Sequence, residues 1–146
     1  MTIETFKMLA DRQRSTPITE LESLFDSLPA VSESFMIGDW LGGVFNTGHA
    51  GESQLTQLNW VGKRFSDRLN VNPIVSLDDT GQRFANPIMG SAQLRMVEYR
   101  GVSTATMIYD KHPIMDHFRQ IDANTVLGVM DKKGDSMPLY FYLQRL

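Results

Sequence analysis

The stretch Gly38-Asp39-Trp40-Leu41-Gly42 decides how this chain folds. It follows a segment with helical periodicity and precedes a sequence whose pattern is mostly that of β-strands. A glycine-flanked tryptophan at such a junction is typical of the first strand of a small antiparallel barrel, with the indole packed under the barrel floor. We therefore expect a β-barrel that encloses a cavity for a small apolar molecule.

Composition narrows the class of protein. With 146 residues, 42% hydrophobic and 21% charged, the chain has the profile of one soluble domain spanning residues 1–146. A net charge of −3 argues against a nucleic-acid partner, because phosphate backbones attract basic surfaces. The chain has no cysteine, which excludes disulfides, thiolate metal sites and cysteine nucleophiles.

The first residues do not read as a targeting segment. Glu4 stands where a signal peptide carries basic residues, and no apolar run follows it. No stretch approaches the roughly 18 apolar residues of a membrane span. We expect a cytoplasmic protein without a membrane partner, and a homodimer is an open alternative.

The N-terminal region, residues 1–30, predicts a helical cap on a barrel formed by residues 36–146. Residues 1–14 suggest a frayed helix. A second helix begins at Thr16-Pro17, with Thr16 as N-cap, and ends before Pro29. One face of this helix is apolar and needs a cover such as an open barrel end. Its residues are Ile18, Leu21, Phe25 and Leu28.

The remainder reads as strands, with one short helix near residues 52–60 and an irregular region at 66–91. A strand covers Gly38–Phe45, and a meander with short turns follows from Ala92. The predicted meander strands are 92–99, 102–109, 114–121, 125–131 and 137–145.

The Arg100-Gly101 turn fixes the register of the meander. A two-residue turn pairs Tyr99 with Val102 and sets every pair behind it. The face predicted to point inward is Leu94, Met96, Ala105, Met107 and Tyr109. The opposite face, with Arg95, Thr104 and Thr106, is expected to be solvated.

Carrying the alternation through the next turn places Asp116 on the inner wall beside Tyr109, with Ile114 and Phe118. Met115, His117 and Arg119 then point outward. A buried carboxylate must be hydrogen-bonded, ion-paired or protonated, so Asp116 is a candidate for a functional site. A purely structural aspartate is the alternative.

Two sets of motifs stand out along the chain. The first set is Gly38-x-Trp40-x-Gly42, Thr47-Gly48-His49 and Trp60-x-Gly62-Lys63-x-Phe65. The second is Tyr99-x-Gly101, Tyr109-Asp110-x-x-Pro113-Ile114-x-Asp116-x-Phe118, Gly128-x-Met130-Asp131 and Tyr140-x-Tyr142-Leu143. The first set resembles the bacterial GXWXG family, and the second resembles the uncharacterised domain that accompanies it. Ala50 departs from the pattern, where proline is expected. The resemblance implies a lipocalin-like (calycin-type) antiparallel barrel and says little about function.

These observations favour binding of a small, mainly apolar organic molecule in a cavity of roughly 300–1,000 Å³. Asp116 would supply one polar anchor, and Trp40 would brace the floor. The predicted ligand-binding residues are Trp60, Lys63, Met96, Met107, Tyr109, Ile114 and Phe118.

The alternative is a cofactor-independent enzyme, an isomerase, lyase or cyclase. Asp116 would act as acid or base, with Tyr109 or His49 assisting. Both residues could instead have structural roles only: His49 would hold a loop in place, and the Lys63 side chain would pack against the indole of Trp60. An interaction module without a pocket is a third class.

No cofactor or metal is expected. His112 falls in a turn and His117 points away from Asp116, so no set of metal ligands is assembled. Haem with His49 as axial ligand is the one alternative.

Overall fold

The helices and strands follow the sequence pattern most closely in the second half of the chain. The computed structural model describes residues 2–146, and Met1, part of the predicted 1–14 helix, lies outside them. The helices are α1 (Thr2–Leu9), α2 (Ile18–Ser27), α3 (Glu33–Met36) and α4 (Ala50–Gln57), with a 3₁₀ turn at Pro87–Met89. The strands are β1 (Gly38–Val44), β2 (Trp60–Asp67), β3 (Asn70–Leu77), β4 (Arg83–Ala85), β5 (Ala92–Tyr99), β6 (Val102–Tyr109), β7 (Ile114–Asp122), β8 (Thr125–Lys132) and β9 (Leu139–Arg145).

Eight of these strands close into an antiparallel barrel. Hairpin neighbours run from β5 to β9, after which β9 pairs with β1 and β1 with β2. The ring closes because β2 pairs with β3, and β3 meets β5 at Val71 and Ala92. The short β4 lies beside β3, outside the ring. The lipocalin-like barrel predicted from the sequence is therefore confirmed.

The register of the meander also agrees with the sequence prediction. Arg100 and Gly101 both have positive φ, 51° and 79°, which is the backbone of a type I′ hairpin turn. Tyr99 consequently pairs with Val102, and the ladder continues to Ala92 opposite Tyr109.

The β2–β3 hairpin corrects the prediction that residues 66–91 are irregular. Pro73 lies inside β3 and interrupts the strand pattern, because proline has no N–H for the ladder. Between the pairs Gly62–Val75 and Arg64–Asn72, two residues of β3 face one residue of β2. This β-bulge accommodates Pro73.

The N-terminal helices cover the outside of the barrel, which corrects their predicted place at its end. Leu21, Leu24 and Phe25 of α2 pack with Leu127 and Tyr140, whose side chains point away from the lumen. The strands β7–β9 are therefore buried on both faces. One cause is that the outer face of β8 is as apolar as its inner face.

Arg119 fixes α2 to this outer face. Its guanidinium lies 4.5 Å from the ring of Phe25 and donates hydrogen bonds to the carbonyls of Phe25 and Leu28, at 3.0 and 2.9 Å. Thr16 donates to the Leu9 carbonyl, and Pro17 holds the N-cap position predicted for Thr16.

The face of β6 predicted to be solvated is also buried. Thr104 accepts a hydrogen bond from the N–H of Val31, in the segment after α2. Thr106 contacts His117, which stacks on Tyr99 at 4.0 Å between ring centroids. Polar residues on an outer face thus satisfy one another beneath the N-terminal region.

The short α3 closes one end of the barrel. Trp40 is completely buried, and its Nε1 donates to the Met36 carbonyl at 2.8 Å. The guanidinium of Arg145 lies 4.2 Å from the centroid of the indole and donates hydrogen bonds to the carbonyls of Phe35 and Ile37. The tryptophan therefore joins the floor of the barrel to the segment that covers it.

Among residues 2–146, no helix has the length and apolar content required to cross a membrane.

Replacing Trp40 with phenylalanine should destabilise the protein by about 2–4 kcal/mol, because it leaves a void and an unpaired Met36 carbonyl. Urea unfolding followed by circular dichroism measures this change. Leu41→Ala, on the exposed side of the same strand, is the control and should lower the free energy of unfolding by less than about 1 kcal/mol. Equal effects of the two substitutions would contradict the assigned role of Trp40.

Candidate functional site

A cavity lies at the end of the barrel opposite α3, underneath α4. Its volume is about 110 Å³. A smaller space of about 30 Å³ adjoins it and reaches deeper into the lumen. The two spaces share the lining residues Leu55, Tyr109, Met130 and Leu139. Together they form a short apolar path from α4 to the middle of the barrel.

The cavity is smaller than the predicted 300–1,000 Å³ because side chains fill the lower half of the lumen. Phe118 packs edge-on against Phe65 and Phe141, with centroids 5.9 and 6.0 Å away. Leu94 and Met107 are completely buried in the same cluster. Only the upper half of the barrel therefore has room for a ligand.

A buried ion pair forms the bottom of the cavity. Lys63 Nζ on β2 lies 3.2 Å from Asp116 Oδ2 on β7, and both side chains are less than 5% exposed. The same ammonium donates to the Pro73 carbonyl at 3.1 Å. That carbonyl belongs to the bulge of β3 and also accepts a hydrogen bond from Trp60 Nε1.

Aromatic rings surround the ammonium group. Nζ of Lys63 lies 5.6 Å from the ring centroid of Trp60, 5.9 Å from that of Tyr109 and 5.1 Å from that of Phe141. At these distances the negative faces of the rings attract a cation. The pair is therefore enclosed by aromatic surface, away from bulk water.

Burial shifts the pKa values of this pair towards the neutral forms. Desolvation lowers the pKa of Lys63 and raises that of Asp116, while the attraction between the two charges opposes both shifts. Burial also raises the pKa of Tyr109 far above its ordinary value. Burial thus favours the neutral amine of Lys63 and the neutral acid of Asp116, and Tyr109 keeps its proton.

Asp116 has one oxygen that the protein leaves unused. Its Oδ1 is buried and has no hydrogen-bond partner within residues 2–146. Most buried polar atoms in proteins are hydrogen-bonded, so a buried oxygen without a partner calls for an explanation. Asp116 also lines the inner space, so a bound molecule could approach this carboxyl group.

The structure brings together four of the predicted ligand-binding residues. Trp60, Lys63, Tyr109 and Ile114 line the cavity or its inner extension. Met107 and Phe118 point inward but pack below the cavity, which corrects their predicted place on its wall.

The prediction that Met96 lines the cavity is wrong. Met96 lies on the predicted face of β5, yet it is 46% exposed. The strand β3 meets β5 at Val71 and Ala92, so the second half of β5 extends past this neighbour. Alternation identified the face of Met96, whereas exposure depends on what covers it.

His49 lies outside the cavity and serves as N-cap of α4. Its Nδ1 accepts a hydrogen bond from the Gly51 N–H at 2.9 Å, and its Nε2 lies 3.3 Å from Asp135. It is therefore not placed to assist Asp116 or to ligate haem from inside the barrel. The cavity, at about 110 Å³, is smaller than the ~150 Å³ cavity that holds benzene, and haem is several times larger than benzene.

Metal ligands are not clustered in the part of the chain that the structure describes. No group of three or more His, Asp or Glu side chains there could hold an ion. Glu52, the buried acid of α4, instead accepts hydrogen bonds from the N–H groups of Thr47 and Gly48 and fixes the loop that leads into the helix.

Comparison with known proteins places these features in a family. Residues 23–81 match the family described as GXWXG protein, and residues 90–145 match a Domain of unknown function (DUF4334). A crystal structure of a protein from Thermomonospora curvata is 39% identical, with a TM-score of 0.93, and the match covers 99% of this chain and 98% of that one. The chain belongs to the GXWXG family. Among curated proteins, no match was found.

The GXWXG motif has a direct structural meaning in this family member. Trp40 forms the floor, and a side chain on Gly42 would overlap the indole of Trp60. A side chain on Gly62 would likewise overlap the carbonyl of Trp40. The glycines therefore allow two tryptophans and the β2 strand to pack closely, which positions Lys63.

Sequence reasoning missed Met130, Leu139 and Phe141 as lining residues. The faces of β8 and β9 were not assigned from the sequence. Asp116 pairs with Met130, and Met130 pairs with Leu139, so these side chains share the inner face. Phe141 lies two residues after Leu139 on β9 and therefore points inward as well. Alternation alone could not assign them, because a register shift interrupts the β7–β8 ladder between Gln120 and Asp122, and residues 133–138 separate β8 from β9 without a tight turn.

Lys63→Met should destabilise this GXWXG protein by about 3–5 kcal/mol near neutral pH, because it leaves a buried carboxylate without its counter-ion. Without Lys63 the folded-state pKa of Asp116 lies further above its ordinary value of 3.8. The folded state then binds protons more tightly than the unfolded state, so the free energy of unfolding falls as pH rises through this window. Urea unfolding from about pH 5 to about pH 8 measures the trend.

Two controls accompany this variant. Arg64→Met breaks the neighbouring surface pair with Asp39 and should lower the free energy of unfolding by less than about 1 kcal/mol. The double variant Lys63→Met/Asp116→Asn should lose the extra pH dependence. A destabilisation by Lys63→Met that is the same at every pH would show that Asp116 is not the responsible group.

Proposed function

We propose that this protein binds a small, mainly apolar organic molecule with one polar group, in the cavity beneath α4. The polar group would point towards Asp116, and the apolar body would lie against Leu55, Ile114 and Leu139. The observation that carries the proposal is the buried Oδ1 of Asp116, which has no hydrogen-bond partner among the described residues. A ligand that donates to this oxygen would satisfy it.

The size of the cavity limits the ligand. A space of about 110 Å³ is smaller than the ~150 Å³ dry cavity that holds benzene, so the ligand is at most a single small ring. The inner space of about 30 Å³ has the volume of one water molecule and would admit a single polar group beside the ion pair. A larger molecule requires α4, which supplies Leu55 and Leu58, to move outward.

Phenol and toluene form a matched pair of probes, because they share a ring and differ in the hydroxyl donor. Asp116→Asn should weaken phenol binding by about 1–3 kcal/mol and leave toluene binding nearly unchanged, since only phenol donates to the carboxylate. Isothermal titration calorimetry or ligand-observed NMR measures both affinities.

Asp122→Asn is the matched control, because Asp122 is exposed on the same strand. Leu55→Trp should abolish binding of both probes by filling the cavity. Failure of both probes to bind the unmodified protein, together with no molecule co-purifying in native mass spectrometry, would refute a ligand site.

The second candidate is a cofactor-independent isomerase, lyase or cyclase, and the same carboxyl group favours it. A carboxyl group whose pKa is raised by burial can accept or deliver a proton nearer neutral pH. Asp116 would move the proton, and Tyr109, protonated throughout, would hydrogen-bond to the substrate.

An enzyme of this kind should exchange a ligand C–H for deuterium. We expect the co-purified molecule, or a small ketone, to incorporate deuterium in D₂O containing the protein, as followed by ¹H NMR. Asp116→Asn should reduce the exchange rate by about 10²–10⁴-fold, and Asp122→Asn should not. If the ligand binds but none of its C–H groups exchanges with deuterium, the enzyme hypothesis is rejected and the binding function remains.

Other expectations from the sequence stay predictions. They are the cytoplasmic location, the lack of a resident metal or cofactor, the lack of nucleic-acid and membrane partners, and the homodimer as an open alternative.

A further inference from the structure

We propose that Lys63 is a covalent binding site for small aldehydes and ketones, with which it forms an imine. This inference rests on the proposed function and specifies its ligand class: the polar group of the bound molecule is a carbonyl. A carbonyl oxygen only accepts, so it would receive its hydrogen bond from Asp116 once the proton of Lys63 has moved to that carboxylate. Lys63 is a nucleophile that lines the inner space adjoining the cavity, and Asp116 beside it carries the protons that imine formation must move.

Lys63 differs from every other lysine of the chain. The sequence has five lysines, and Lys7, Lys111, Lys132 and Lys133 are exposed. Lys63 is 3% exposed, ends in an aromatic enclosure and lines the inner space. Desolvation lowers its pKa, so it provides the neutral, nucleophilic amine more readily than a surface lysine does.

The contacts of Nζ are compatible with a reacting amine. An ammonium group has three N–H donors, of which the Pro73 carbonyl and Asp116 Oδ2 each accept one. When the proton on the second bond moves to Oδ2, the resulting amine keeps its bond to Pro73 and gains a lone pair. Pro73 thus positions the nitrogen, while Asp116 activates it.

The reaction balances within this pair of residues. Proton transfer from Nζ to Asp116 gives an amine and a carboxylic acid. The nitrogen lone pair forms a bond to the carbonyl carbon, and the C=O π pair moves to oxygen, which takes the proton from Asp116. The nitrogen returns one proton to Asp116, giving a neutral carbinolamine.

Loss of water completes the imine. The nitrogen lone pair expels the hydroxyl group, which leaves as water with the proton of Asp116. The products are an iminium cation on Lys63, a carboxylate on Asp116 and one water molecule. The buried ion pair is therefore restored, and the inner space of about 30 Å³ matches the volume of the water released.

Reductive trapping tests the proposal with propanal as the probe. The protein is incubated with propanal and sodium cyanoborohydride near pH 7, and peptide mass mapping locates the propyl groups. We expect Lys63 to be alkylated faster than the exposed lysines, because its lowered pKa leaves a larger fraction of neutral amine near pH 7. The reaction at Lys63 should saturate with propanal. A ¹³C NMR spectrum with carbonyl-labelled propanal detects the iminium carbon without the reductant.

Two variants define the roles. Asp116→Asn should slow alkylation of Lys63 by about 10²-fold or more, because it removes the proton carrier. Lys7→Arg removes an exposed lysine of α1, which lines neither the cavity nor its inner space, and should leave labelling of Lys63 unchanged.

The outcomes separate this inference from the proposed function. Saturable labelling at Lys63, with the iminium signal, supports both. If toluene or phenol binds but Lys63 forms no iminium and no propyl adduct, the imine is refuted and the binding function stands. If no probe binds and propanal labels only exposed lysines, both fail.

Discussion

The ion pair between Lys63 and Asp116 is the constraint around which the barrel is organised. In the ring of eight strands, β2 and β7 lie four steps apart, so the pair spans the lumen between opposite walls. Below it the lumen is filled by Phe65, Phe118 and Phe141, and above it lies the cavity. The pair therefore marks the boundary between the part of the barrel that provides stability and the part that can hold a ligand.

Much of the fold could be predicted because its pairing is local. One turn at Arg100-Gly101 sets the register of β5 and β6, and the next short turn carries it to β7. The N-terminal helix was harder, since its apolar face is visible in the sequence but its partner surface is not. The strands β7–β9 are apolar on both faces, and only the tertiary structure shows that α2 covers the outer one. The β2–β3 hairpin was hidden because Pro73 interrupts its pattern.

The candidate site, like the fold, could be predicted only where it depends on local strand pairing. Counting from one turn places Asp116 inside, whereas its pairing with Lys63 depends on closure of the ring. The volume of the cavity could not be predicted from the sequence either. It is the small difference between the volume of the lumen and the summed volumes of the side chains that fill it. Met96 illustrates a further limit: alternation assigns a face, but a neighbouring strand must be present for that face to be buried.

Stability alone does not account for the pair. Replacing a buried ion pair with apolar residues of similar volume is often neutral or stabilising, because desolvation offsets the attraction between the charges. This barrel already has an aromatic core that could extend upward through the position of Asp116. Instead it keeps a carboxyl group with an unused oxygen beside a lysine whose pKa is lowered by burial. Both groups line the inner space of the lumen, and the proposed ligand site gives this costly arrangement a reason that stability does not.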